Sequence, residues 1–161
     1  MKTLLIPTDF DLKSLNSIPE LVEKYYPEDL NIILVHMMQI TDDIHELLML
    51  SRRSTEYQDI SQAFYDTCTA LKQKHRSSIQ KISIEFFYGS TVAVFKNFLD
   101  ANEVDEIVLI RDYDYKLINK NSIKPTLLVT RCGKALVYVG FQGPGQPKGF
   151  DLTASLFEQK V

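Results

Sequence analysis

Three apolar runs constrain the fold of this 161-residue chain more than any other feature of its sequence. Leu4-Leu5-Ile6, Ile32-Ile33-Leu34-Val35 and Ile107-Val108-Leu109-Ile110 are continuous rather than alternating. A strand apolar on both sides has to be covered on both faces, as in the middle of a parallel sheet. The first run closes with Pro7, Thr8, Asp9 and Phe10. Pro7 lacks an N–H donor and sits most easily where strand pairing stops. Thr8 and Asp9 then stand at the carboxyl end of the strand, where open α/β sheets bind ligands. Any small-molecule site is expected beside Asp9.

The intervening segments read as crossovers. Leu12, Leu15, Ile18, Val22 and Tyr25 recur at helical spacing, interrupted by Pro19. Either a helix starts near Ser17 with Pro19 in its first turn, or an earlier helix kinks there. The second strand is Leu30–Val35, with His36 at its end. Ile44 to Leu50 suggests a short helix. Thr55 and Gln58 have capping-box spacing ahead of a helix carrying Tyr57, Ile60, Phe64, Cys68, Leu71 and His75 on one face. Ile82, Ile84, Phe86 and Tyr88 alternate with polar residues, as expected of a strand nearer the sheet edge. Gly89, Ser90 and Thr91 make a turn and a helix cap, followed by a buried stripe of Val92, Phe95, Phe98 and Leu99.

After the fourth strand, Arg111 to Lys116 is a polar, aromatic loop. Thr126 to Thr130 is β-favouring and reads as a fifth strand, with Pro125 barring a helix. Ala135–Val139 follows after a turn at Cys132-Gly133-Lys134. So short a link implies a hairpin and an antiparallel sixth strand. The expected architecture is α/β: a doubly wound, five-stranded parallel sheet in the order 3-2-1-4-5, with that sixth strand at its edge. Its switch point lies between strands 1 and 4, with Thr8 and Asp9 facing Arg111 and Asp112. Residues 1–140 form one α/β domain. Residues 141–161 form a Gly/Pro-rich tail able to end in a short helix over 151–159.

Composition narrows the function classes. The formal net charge is −3, against the positive surface that sequence-independent nucleic-acid binding needs. No apolar run approaches the ~20 residues that cross a bilayer. The N-terminus enters a strand without the pattern of a signal peptide, so a cytoplasmic protein without membrane attachment is expected. Cys68 and Cys132 are far apart and read as small buried side chains.

The chain resembles the universal stress protein family over about residues 2 to 130. The resemblance rests on the Ile6-Pro7-Thr8-Asp9-Phe10 turn and on the second strand ending Leu34-Val35-His36. It rests also on the Tyr88-Gly89-Ser90 turn, the Asp105-Glu106-Ile107-Val108 strand entry and Pro125-Thr126-Leu127-Leu128-Val129 as the closing strand. It implies a Rossmann-like fold and pairing of two copies along the last strand. Nucleotide-binding members hold phosphates with a Gly-x2-Gly-x9-Gly-Ser/Thr signature after strand 4, and use an aspartate matching Asp9. That signature is absent here. Ile110 or Arg111 stands in place of the first glycine, Tyr113 or Asp114 in place of the second, and Asn121-Ser122 is the nearest match to its end. The helix that should follow is not expected before Pro125. Of the six glycines only Gly89 precedes residue 133, whereas a phosphate cradle needs the close backbone approach that glycine permits.

The remaining candidates are thin. Asp112-x-Asp114 lacks the third ligand and the glycine of a calcium loop. His36, His45 and His75 have no metal-ligand spacing. Ser90 and Thr91 have no evident base. Arg111 is read as an ion-pair partner of Asp9 or Asp112, or else as an anion-binding group. Tyr113 and Tyr115 either stack on a ligand ring or pack on protein. The resulting expectation is a regulatory or interaction module with no catalytic residues, metal or cofactor, homodimeric through Ala135–Val139. The alternative is an ATP- or AMP-responsive binder using Thr8, Asp9, Gly89 and Arg111.

Overall fold

In a computed structural model of the chain, the described residues are 1–39, 57–118 and 120–140. The elements are β1 (Lys2–Pro7), a 3-10 turn (Leu12–Leu15), α1 (Ile18–Tyr25), β2 (Leu30–Met38), α2 (Gln62–Lys74), β3 (Ile79–Tyr88), α3 (Val92–Ala101), β4 (Glu106–Ile110), α4 (Thr126–Arg131) and β5 (Ala135–Val139). The five strands form one sheet in the order β3-β2-β1-β4-β5, and every neighbouring pair is parallel.

The continuous apolar runs are explained by two cores, one on each face. Leu4, Ile6, Ile32, Leu34, Val108 and Ile110 face α1 and α2, where they meet Ile18, Leu21, Phe64 and Cys68. Leu5, Ile33, Val35, Ile107 and Leu109 face the opposite way and meet Phe95 and Leu99 of α3 and Leu128 and Val129 of α4. Successive strand residues point to opposite faces, so covering both faces requires apolar residues at consecutive positions. Both cysteines are buried free thiols.

Local chemistry sets the helix starts. Asp11 caps the 3-10 turn by accepting from Lys13 N at 3.0 Å, and α1 begins afterwards with Pro19 in its first turn. Of the two readings of Pro19, the start near Ser17 holds. Ser61 caps α2 by accepting from Phe64 N at 3.1 Å, and Thr91 caps α3 by accepting from Val94 N at 3.3 Å. Such caps satisfy backbone donors that the first turn leaves open. The expected helix through Ile44–Leu50, the Thr55 cap, His45 and the 141–161 tail lie outside the described residues.

Two expectations at the end of the domain are corrected. Thr126–Arg131 is a helix, not the fifth strand. Pro125 takes φ −75° and ψ −20°, a helical conformation that starts α4 rather than stopping it. The intrinsic β preference of Thr126, Val129 and Thr130 yields to the geometry of the crossover, which puts Leu128 and Val129 into the second core and leaves Leu127 exposed. Ala135–Val139 is therefore the fifth strand, parallel to β4, with Ile107↔Leu136 and Leu109↔Tyr138 in register. There is no hairpin and no antiparallel sixth strand among the described residues. The tight link from α4 to β5 uses Gly133 at φ +81°, a backbone conformation that costs glycine little.

Candidate functional site

The carboxyl end of β1 is where the winding of the sheet reverses. β1 pairs with β2 up to Pro7↔Val35, and Thr8 N still donates to Val35 O at 2.8 Å. β2 continues to Met38, so its last residues have no β1 neighbour. Phe10 then takes φ +64°. A bulky residue in this region is uncommon and costs about 1–2 kcal/mol. The turn drives the Phe10 ring into the first core, against His36, Phe64 and Phe86. It leaves Asp9, which is buried, facing the crevice between β1 and β4.

That crevice is occupied by the chain itself. Residues 111–118 and 120–124 fold back over β1 as a strap. Asp9 accepts from the Tyr113 hydroxyl at 2.9 and 3.0 Å, from Lys116 N at 2.9 Å and from Asp11 N at 3.1 Å. A carboxylate accepts only, and donors from two segments already surround this one. The neighbouring carboxylate and burial together push the Tyr113 hydroxyl well above its usual range, burial being the larger cause. Tyr115 is buried in the second core, and burial raises its hydroxyl to about 12. Both hydroxyls therefore remain neutral at any physiological pH, that of Tyr113 donating to Asp9 and that of Tyr115 accepting from Ile110 N at 3.4 Å.

The strap's second anchor is on the vacated stretch of β2. Gln39 N donates to Asn121 O at 2.8 Å and Ile123 N to Met37 O at 3.0 Å, so Ser122 bridges antiparallel to Met38. His36 lies beneath. Its Nδ1 is 2.8 Å from Thr8 O, and a carbonyl oxygen can only accept, so Nδ1 carries the proton. Nε2 of the neutral ring then accepts from the Ser122 hydroxyl at 2.8 Å. Ser122 Oγ accepts in turn from Ile118 N at 3.1 Å. Burial is the main influence on His36 and lowers its pKa below the ordinary 6.5. Thr8 is enclosed likewise, its hydroxyl 2.7 Å from Ser14 Oγ and accepting from Phe10 N at 3.0 Å.

Surface ion pairs tack the strap down. Lys116 Nζ reaches Asp11 at 2.6 Å and holds its carboxyl below the usual range. Lys124 Nζ reaches Asp114 at 2.7 Å and Tyr115 O at 2.5 Å. Exposed pairs of this kind contribute at most about 1 kcal/mol each. The space left beneath the strap, between Thr8, His36, Tyr115 and Lys116, is about 10 Å³. That is the lower limit for a single water.

The structure thus brings Thr8 and Asp9 together but not with the other two predicted residues. Arg111 is exposed and makes no ion pair among the described residues, contrary to the pairing expected with Asp9 or Asp112. It borders a separate hollow of about 370 Å³ at the carboxyl ends of β4 and β5, with Asp112, Thr126 and Tyr138. Gly89 lies past β3, on the far side of β2 from β1. Its N–H donates to Met38 O at 2.8 Å, and a Cβ there would meet the Phe87 ring at 2.9 Å and Val94 at 3.0 Å. Close packing explains this glycine without a ligand. Sequence reasoning did not identify Lys116, Ser122 and His36 as partners of the β1 turn. The available signal was the lack of glycine from residue 90 to 132, since a non-glycine loop at this place has to satisfy its neighbours with side chains.

No family model matches the chain, and no curated protein matches it. Solved structures do. A hypothetical protein, PH0823, is similar at 16% identity and TM-score 0.54, over 89% of this chain and 99% of its own. The hypothetical protein MJ0577 is similar at 14% and 0.54, over 88% and 97%. The universal stress protein UspA from Lactobacillus plantarum is similar at 15% and 0.52, over 88% and 97%. At these identities the likeness is one of fold, and the fold is that of the universal stress proteins.

Proposed function

We propose that this chain is a non-catalytic regulatory or interaction module on the universal stress protein fold, and that it does not hold ATP in the manner of the glycine-signature proteins. The observation that carries this reading is the state of Asp9, whose oxygens are engaged by Tyr113, Lys116 N and Asp11 N. In this reading Thr8 and Asp9 are anchors of the strap, and a nucleotide would have to displace several buried hydrogen bonds before meeting either. Gly89 serves packing, and Arg111 stands outside the crevice.

Calorimetry and thermal melting with ATP and with AMP at millimolar concentration test it. A ligand present at a hundred times its dissociation constant stabilises the folded state by about 2.7 kcal/mol. No heat of binding and no rise in Tm are expected. A saturable rise with either nucleotide, abolished in Asp9→Ala, would replace this reading with that of a nucleotide-responsive binder.

The interaction part of the proposal concerns β5. Its outer edge pairs with no strand among the described residues, and Leu136, Val137 and Tyr138 are half-buried or exposed there. An apolar edge strand invites pairing with another chain. The proposed partner is a second copy in the cytoplasm, giving a dimer by light scattering that Val137→Lys dissociates. A monomeric wild type removes this part of the reading.

A further inference from the structure

A cavity far larger than the space left in the crevice lies elsewhere in the fold. A groove of about 650 Å³ runs between α2 and the outer strand β3. Its apolar side is formed by Tyr65, Cys68, Ile82 and Ile84. Cys68 is buried and the same burial raises its thiol to about 11, so it is a neutral, weakly polar part of the wall. Lys72 and Arg76 stand at the rim. Lys72 lies in the last turn of α2 and Arg76 just beyond its C-cap, His75, so two like charges stand at the same end of the groove.

Lys72 and Arg76 make no ion pair or hydrogen bond among the described residues, whereas Lys2, Lys116 and Lys124 each reach a carboxylate. None of the described lining residues is acidic. The volume lies within the range of small-molecule sites, which combine apolar walls with a few orienting polar groups.

We propose that this groove binds a small amphipathic anion, with its apolar body against Ile82, Ile84, Tyr65 and Cys68 and its acidic head between Lys72 and Arg76. The head would supply the counter-charge that the described residues do not, and the body would cover the half-buried face of β3. The site is separate from the strapped crevice and does not depend on how that crevice is read.

Titration calorimetry of the full chain with decanoate, below its micellar concentration, tests the assignment. One saturable site per chain is expected. The double variant Lys72→Gln/Arg76→Gln should bind decanoate about tenfold more weakly. Decanol has the same body and no charge, and its affinity should agree within about twofold between wild type and the double variant. Thr69→Trp, which places a ring in the groove from an exposed position of α2, should abolish binding of both. Absence of a saturable heat with wild type overturns the proposal, as does equal decanoate affinity in wild type and the double variant. A stoichiometry of one ligand per dimer, with the dimer lost in the double variant, also overturns it, because a second copy would then be covering the groove.

Discussion

The crevice above β1 and the groove beside α2 border the same sheet, yet they treat their polar groups in opposite ways. In the crevice, Asp9, Thr8, His36 and Ser122 all find partners in the chain, and about 10 Å³ remains. In the groove, Lys72 and Arg76 find none among the described residues, and about 650 Å³ lies open. Buried orphan polar atoms, such as Ser17 Oγ and His75 Nε2, occur elsewhere and not at the strap. Position in a fold therefore does not decide where a ligand can go. The carboxyl end of β1 is the usual ligand position, but here its hydrogen-bonding capacity is already spent on the strap.

The comparison breaks most directly at Tyr115. Its ring is buried in the second core beneath the strap, so Tyr115→Ala should cost about 3–5 kcal/mol by chemical denaturation. A cost under about 1 kcal/mol would mean that the strap is only loosely seated. Asp9→Ala comes next. It leaves the Tyr113 hydroxyl and the Lys116 and Asp11 amides without their acceptor, at about 1–3 kcal/mol. If the strap fills the crevice, amide exchange at Lys116 should speed up in this variant; unchanged exchange would argue that the strap holds without Asp9.

Acid should give a smaller effect. His36 has a lower pKa folded than unfolded, so between the two values the unfolded chain binds more protons. Its contribution is fully present above about pH 6.5 and is lost as the pH falls below that value. Asp11, also depressed, contributes in the same direction but only below its unfolded value near 3.8. The Tm of wild type should therefore fall between pH 7 and pH 5, and His36→Asn should flatten the profile in that window. A wild-type profile that is flat there would contradict the buried neutral ring. The smallest effect is expected in the groove. Lys72→Gln/Arg76→Gln removes two exposed cations that have no partner among the described residues, so stability should change by less than about 0.5 kcal/mol. A loss of 1 kcal/mol or more would show that the rim cations are paired.

Several elements could be read from residues alone, for reasons that are local. The runs at Leu4, Ile32 and Ile107 carry the two-sided burial of central strands, and the Thr91 cap is visible as a side chain three residues from the amide it serves. Pro19 leaves two readings open, and the structure decides for the helix start near Ser17. Thr126–Arg131 shows where local preference misleads. Its residues favour a strand, but a parallel β5 needs a crossover, and only the placement of Leu128 and Val129 against the second core decides for a helix.

By itself the sequence determined the first four strands, their order and the position of Asp9, because periodicity and two-faced burial act over a few neighbouring residues. It also excluded the glycine signature. Only the tertiary structure decided what surrounds Asp9, since Tyr113 and Lys116 are more than a hundred residues away along the chain. It also decided that His36 meets Ser122 and that Lys72 and Arg76 meet nothing comparable among the described residues. Hydrogen bonds and charges of this kind depend on distance in space, which spacing along the chain does not encode.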